Sequence, residues 1–247
     1  MHEHADHFGE DVAAAYDDPS DAMFQPRAVE ATADVLHRLA AGKAALELGI
    51  GTGRIALPLA RRGVAVHGID LSEAMVARLR AKPGSEAIGV TIGDFATARA
   101  PGRYSLVYLV FNTIMNLTSQ DAQVDCFANA AEHLEPGGRF VVEAGVPGLR
   151  LLPPGQNVVH FATRPARLAF DVYDTATQSM SSNYVEVSDD GHGSCRSIPF
   201  RYVWPAELDL MARMAGLRLA ERWSGWSQEP FTHESTEHVS VWEKPAA

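Results

Sequence analysis

The chain has 247 residues, 46% of them hydrophobic and 21% charged, and 21 basic against 31 acidic side chains leave a formal charge of −10. A mean hydropathy of −0.10 with recurring apolar blocks excludes a disordered chain, and the longest apolar run, residues 106–111, is far below the ~20 residues that cross a bilayer. No basic stripe accompanies the acidic balance, so a nucleic-acid partner is not expected.

The first residues, Met1 to His7, are acidic and lack the basic-then-apolar order of a signal peptide, which points to a soluble, cytoplasmic protein with no membrane partner. His2, His4 and His7 read as a polar tail; with no further organised ligands, no metal site is expected. Residues 26–40 predict a helix ahead of the first strand. From 44 onward short apolar strands alternate with amphipathic helices, the pattern of a parallel sheet with crossover helices. The predicted strands span 44–48, 64–70, 88–92, 106–111 and 139–144. Ser72 is placed to cap a helix on which Leu71, Met75 and Leu79 form one stripe. Residues 120–134 place Val124, Phe127, Ala128, Ala131 and Leu134 at helical spacing, with Pro136-Gly137-Gly138 as the stop.

After Glu143 the pattern changes. Residues 145–156 are rich in glycine and proline, and alternating stretches follow at 158–161, 168–173, 182–187 and 195–203, with a hairpin turn at 189–193. Pro205 opens a helix carrying Leu208, Met211, Ala212 and Ala215, Gly216 closes it, and 217–223 and 239–243 read as final strands. Cys126 and Cys195 fit no metal or redox spacing and are expected as buried thiols of a reducing compartment.

The chemistry concentrates at the predicted strand ends. Glu47-Leu-Gly-Ile-Gly-Thr-Gly-Arg54 ends the first strand, and Gly49, Gly51 and Gly53 let backbone approach a ligand closely. The spacing is G-x-G-x-G, with Arg54 where a dinucleotide site wants its last glycine. Glu47 also places negative charge where phosphates would lie, which suits an ammonium or sulfonium instead. Asp70 closes the second strand as an acid suited to both hydroxyls of a ribose, or as a helix cap. Asp94, after the third strand, suits an adenine amino group, with Phe95 or Met75 against the ring. Taken in order, the three strand ends describe a nucleoside joined to a cationic amino acid.

These residues, with Leu134-Glu-Pro-Gly-Gly-Arg139, resemble the successive motifs of class I S-adenosylmethionine-dependent methyltransferases, of the small-molecule, methyltransferase-domain-25-like kind, over roughly residues 40–145. The resemblance implies an α/β fold: a Rossmann-like seven-stranded sheet with helices on both faces, its last strand antiparallel, and a small antiparallel insertion covering the active site. It implies S-adenosyl-L-methionine as cofactor, bordered by Tyr16, Glu47, Gly49, Gly51, Gly53, Asp70, Leu71, Ser72, Met75, Asp94, Phe95 and Phe111. Phe111-Asn-Thr-Ile-Met-Asn-Leu117 is similar to the segment that lines donor and acceptor in glycine N-methyltransferase-like enzymes. Asn112 matches its asparagine as the candidate catalytic residue, or caps the turn, and Asn116 stands where that pattern has histidine. Tyr16-Asp17 resembles the segment that closes over the site in small-molecule methyltransferases, and Phe200 to Leu208 resembles the group's lead into its last helix. Candidate acceptor contacts are Asn116, Glu143, Arg201, Tyr202, Trp204 and Phe231.

The implied reaction is in-line methyl transfer to N or O of a small molecule, through proximity and desolvation, by a monomer or homodimer. A nicotinamide-dependent oxidoreductase and a non-catalytic S-adenosylmethionine-binding regulator are the alternatives. The expected organisation is a lid segment over 1–40, a donor-binding core over 41–145, a covering insertion over 146–204, and a C-terminal helix and strand pair over 205–247.

Overall fold

The structure, a computed structural model, describes residues 8–18, 22–188 and 190–246. Helix α1 (Glu10–Tyr16) and a 3₁₀ turn (Ala22–Phe24) precede α2 (Pro26–Ala40), whose start is set by Pro26 in the first turn. Then come β1 (Ala45–Leu48), α3 (Ala56–Arg61), β2 (Val66–Asp70), α4 (Glu73–Arg80), β3 (Gly89–Ile92), β4 (Tyr104–Leu109), α5 (Gln120–His133) and β5 (Leu134–Gly145). Four strands, β6 (Val158–Arg164), β7 (Arg167–Tyr173), β8 (Ser179–Val187) and β9 (Gly193–Arg201), lead to α6 (Pro205–Met214), β10 (Arg218–Trp223) and β11 (Glu237–Glu243).

Seven strands form one sheet in the order β10-β11-β5-β4-β1-β2-β3, parallel from β5 to β3 and antiparallel where β11 meets β5 and β10. Strand order runs outward from β1 in both directions, so β1 and β4 flank the switch point where ligands bind at the carboxyl ends of such sheets. Period two along β1 turns Leu46 and Leu48 to one core and Ala45 to the other. One core packs α5 and α6 through Phe127, Phe140 and Trp242, with Phe127 edge-on to both rings at 4.9 and 5.3 Å. The other packs α2 and α3 through Leu36, Leu39, Ile55 and Leu59. Strands β6 to β9 form a separate antiparallel sheet, here the cover.

Several expectations change in the structure. Leu134 opens β5 by pairing with Tyr104 rather than ending α5, and Pro136-Gly137-Gly138 is absorbed as an irregularity in β5. On α5, Ala128 is exposed, and Gln123 is buried instead because its amide bonds the carbonyls of Ile114 and Arg201. Leu71 is 40% exposed, so the α4 stripe is Met75, Val76 and Leu79. Cys126 is buried, but Cys195 is exposed because it lies on β9 of the cover, most of whose first residues are exposed. Strand β4 stops at Leu109, since Phe111 and Asn112 take left-handed φ values of 57° and 59°. The 189–193 turn joins β8 to β9; Asp189, like His2, His4 and His7, lies outside the described residues.

Candidate functional site

At the carboxyl edge of β1, Gly49, Gly51 and Gly53 have φ of 73°, 53° and 79°, values that favour glycine. Their missing Cβ atoms serve different ends. A Cβ on Gly49 would come within 2.6 Å of Thr113 Cγ2, and one on Gly53 within 2.3 Å of Leu79 Cδ1, so Gly53 clears the packing of α4. At Gly51 the nearest atom is Met75 Cε at 3.4 Å, and its bare face borders a cavity of about 310 Å³.

Asp70 pins this turn to β2. Its Oδ2 accepts the Gly51 N–H at 2.6 Å and its Oδ1 the Ser72 N–H at 2.9 Å. Ser72 Oγ caps α4 by accepting the Met75 N–H at 3.2 Å. Across the same cavity Asp94 closes its own turn by accepting the Ala96 N–H at 2.8 Å, and Phe95, Leu71 and Met75 line the apolar stretch between the acids.

Helix α1 lies over this cavity and is tied down on both sides. Ser72 Oγ donates to the Phe8 carbonyl at 2.7 Å, and Asp17 accepts from Thr52 Oγ1 at 2.6 Å while pairing with Lys82 at 2.6 Å. Arg54 donates to the Met23 carbonyl and lies over the Phe24 and Phe111 rings at 5.8 and 5.3 Å, which joins the segment after α1 to the end of β4. Tyr16 stands edge-on to Phe8 and Phe24; burial pushes its hydroxyl up to about 12, so it is neutral at physiological pH.

The segment after β4 is held in its left-handed conformation by β5. Glu143 Oε2 accepts the Phe111 N–H at 2.7 Å and Oε1 accepts the Trp226 indole N–H at 2.7 Å. Asn112 Oδ1 accepts the Gly145 N–H at 2.6 Å. These bonds stabilise a backbone pair that is otherwise unfavourable for non-glycine residues.

A second, larger cavity of about 910 Å³ lies between this edge, α1 and the inner face of the cover. Period two decides which cover residues reach it: Ala169, Asp171 and Tyr173 of β7, Met180, Ser182 and Tyr184 of β8, and Arg196, Ile198 and Phe200 of β9. Strand register arranges them in rows: Tyr173–Met180–Phe200, then Asp171–Ser182–Ile198, then Ala169–Tyr184–Arg196. Arg167 and Arg196 stack on Tyr184 at 5.2 and 5.0 Å and, with Arg164, set positive charge on the cavity wall of an acidic protein. Phe8, Tyr16, Thr113, Asn116 and Ile198 line both cavities, which therefore meet.

Of the sequence-predicted residues, Tyr16, Gly49, Gly51, Asp70, Leu71, Ser72, Met75, Asp94 and Phe95 line the smaller cavity, and Phe111, Asn112, Asn116 and Tyr202 line the larger. Six others line neither. Gly53 faces Leu79, as above. Glu47 turns, by strand alternation, to the α2–α3 side and accepts the Tyr108 hydroxyl at 2.9 Å; burial pushes its carboxyl up to about 8, although Tyr108 and Arg54 pull it down. Glu143 is engaged at both oxygens. Arg201 is buried among Gln123, Gln178 and Glu207 at 2.5, 3.3 and 2.8 Å, where burial alone would raise Glu207 but bonds from Gln178, Arg201 and Gln120 hold it below the usual carboxylate range. Trp204 is 39% exposed, and Phe231 packs against His238 and Arg222.

Sequence reasoning missed Phe8, Thr113 and the cover wall of β7 and β8. The alternation Arg167-Ala169-Asp171-Tyr173 carried the signal for that wall, but nothing local told which face looks inward. Among the described residues no group of three or more His, Cys, Asp or Glu is placed to hold a metal, and no helix is long and apolar enough to cross a membrane.

Comparison with known proteins gives this geometry a family. The family model described as a methyltransferase domain matches residues 45–138. The CcbJ methyltransferase from Streptomyces caelestis is 36% identical, with 97% of this chain and 98% of that one covered at a TM-score of 0.86. The cypemycin N-terminal methyltransferase of a Streptomyces species is 26% identical over 213 residues, 84% of this chain and 86% of its own length. S-adenosylmethionine-bound CalS10, an amino pentose methyltransferase from Micromonospora echinaspora, shares the fold at a TM-score of 0.68 and 22% identity, with 94% and 95% of the chains covered. These similarities lend no support to the nicotinamide-dependent or the non-catalytic alternative.

Proposed function

The chain belongs to the class I S-adenosylmethionine-dependent methyltransferases, and we propose that it transfers the methyl group to a nitrogen or oxygen of a small molecule seated in the larger cavity. The observation that carries this reading is the meeting of the two cavities at Tyr16, Thr113, Asn116 and Ile198. The donor suits the smaller cavity. The bare face of Gly51 leaves backbone room, Asp70 and Asp94 stand at separate turns as hydrogen-bond acceptors, and Leu71, Met75 and Phe95 offer an apolar seat for a flat ring. When bound, S-adenosylmethionine supplies a methyl carbon already activated by its sulfonium. Of the 1–40 segment, α1 and the turn after it then serve as lid while α2 packs into the core; 41–145 act as donor-binding core, 146–204 as acceptor cover and 205–247 as the closing helix and strand pair.

The protein's own residues contribute position and dryness. Tyr16, neutral, donates a hydrogen bond or stays silent rather than acting as a base. Asn112 keeps its carbonyl oxygen on Gly145 and offers only its amide N–H groups to the acceptor cavity, which makes it a positioning residue for the 111–116 segment. Holding an acceptor behind the transferring carbon in such a closed site is worth ~7–11 kcal/mol. No histidine lines the larger cavity among the described residues, so an acceptor whose lone pair needs only the loss of one readily given proton fits better than an alcohol needing a stronger base. A volume of about 910 Å³ suits a small organic acceptor. The free thiols of Cys126 and Cys195 support a reducing, cytoplasmic setting.

Calorimetry tests the reading. S-adenosylmethionine and S-adenosylhomocysteine should each bind one site per chain, and NADH should give no saturable heat; the reverse pattern would overturn the assignment.

A further inference from the structure

We infer that Asp171 anchors the methyl acceptor and that the acceptor is an amine, bound as its ammonium form at the row of the cover that faces the donor cavity, where it passes one proton to the carboxylate before its nitrogen lone pair takes the methyl group. The inference rests on the reading of the larger cavity as the acceptor site and narrows it.

Position comes from strand register. Ile198, Ser182 and Asp171 lie in one cross-strand row on the inner face, and Ile198 is the cover residue of that row that lines both cavities. Two strand spacings put Asp171 about 10 Å across the sheet from Ile198, on the same wall and at the same level as the junction. The row on one side is apolar or aromatic, with Tyr173, Met180 and Phe200; the row on the other is Ala169, Tyr184 and Arg196, whose guanidinium lies over the Tyr184 ring at 5.0 Å. Asp171 is thus the carboxylate of the row level with the junction, set apart from the arginines and Glu186 further along the same wall, and a few placed polar groups of this kind are the usual means of orienting a small ligand.

The chemistry of Asp171 favours a cation. Its carboxylate is half-buried and accepts the Ser182 hydroxyl at 2.6 Å and a bond from the Tyr173 hydroxyl. Both partners are neutral, and among the described residues no lysine or arginine pairs with it. Glu186, the carboxylate further out on the same wall, differs in being paired with Arg167 at 3.3 Å. Burial raises the Asp171 carboxyl above its ordinary value, only partly opposed by the two hydroxyls. A desolvated carboxylate without a cation gains most from a ligand that brings one, whereas a neutral hydroxyl offers one bond and no charge.

Bisubstrate probes read this directly. We envisage donor analogues in which a tertiary amine replaces the sulfur and carries an aminoalkyl arm of two to six methylenes, each compared with its hydroxyalkyl counterpart by calorimetry. For the best arm length, the amino arm should bind at least about tenfold more tightly than the hydroxyl arm. Asp171→Asn should reduce that preference to under about threefold and leave S-adenosylhomocysteine affinity unchanged, which also reports that the variant is folded. Equal binding of amino and hydroxyl arms at every length overturns the inference, as does a preference that survives in Asp171→Asn. Failure of S-adenosylhomocysteine itself to bind the unaltered protein would instead remove the donor-site reading beneath it.

Discussion

The seven-stranded sheet and the four-stranded cover follow opposite rules. All four residues of β1 are buried, as are five of the six in β4, because helices lie on both faces and the parallel strands have no wet side. In the cover no strand is buried throughout: β7 to β9 turn alternate residues into the cavity and the others outward. A doubly covered sheet holds its carboxyl edge in one geometry, which suits a donor that is the same in every reaction. A singly packed sheet admits substitution on its inner face without collapse of a core, which suits an acceptor that differs from enzyme to enzyme.

Asp70→Ala probes that contrast with the largest expected effect. It removes the acceptor of two backbone N–H groups as well as the proposed ribose contact, and S-adenosylmethionine Kd measured by calorimetry should rise by about 10²–10⁴-fold. Phe200→Ala on the cover should leave the same Kd within about threefold. A comparable loss from both would mean that core and cover do not divide the labour.

Arg201 joins the two regions, bonding Gln123 of α5 and Glu207 of α6 from the end of β9. Arg201→Met takes the cation from the half-buried Glu207 carboxylate, which keeps Gln120 and Gln178, and should cost about 2–3 kcal/mol in urea denaturation. A loss below about 1 kcal/mol would show that the joint is dispensable.

His238 sharpens the comparison through pH. It is buried on β11, with Nδ1 on Ser240 Oγ and Nε2 the one buried side-chain nitrogen or oxygen without a partner among the described residues. Burial, aided by Arg222, lowers it from 6.5 to about 4. The native state thus keeps a neutral imidazole where the unfolded chain takes up a proton. The stability it contributes is complete above pH 6.5 and is lost as pH falls toward 4, by up to about 3 kcal/mol. His238→Phe should flatten that part of the stability-against-pH curve, and an unchanged slope would assign it elsewhere.

Arg54→Met is the mildest test. It removes two cation–aromatic contacts of about 0.5–1 kcal/mol each and the bond to Met23, so stopped-flow release of the donor should quicken by about three- to tenfold. Unaltered release would mean that α1 is held by Asp17 and Ser72 alone.

Local chemistry was enough to read the strand-and-helix alternation, the glycine turn after β1 and the acids ending β2 and following β3. Pro26 starts its helix and Asp70 ends its strand whatever lies around them, since proline geometry and period-two burial act over a few residues. Only the tertiary structure decided that Glu47 faces Tyr108 rather than the cavity, that Gly53 clears Leu79, and that Asp171 rather than Arg201 looks into the acceptor chamber. Each of those outcomes depends on which face of a strand another element covers. That is settled by register and packing between segments distant in the chain, such as β7 against β9 or α5 against Arg201, and a linear pattern carries no term for it.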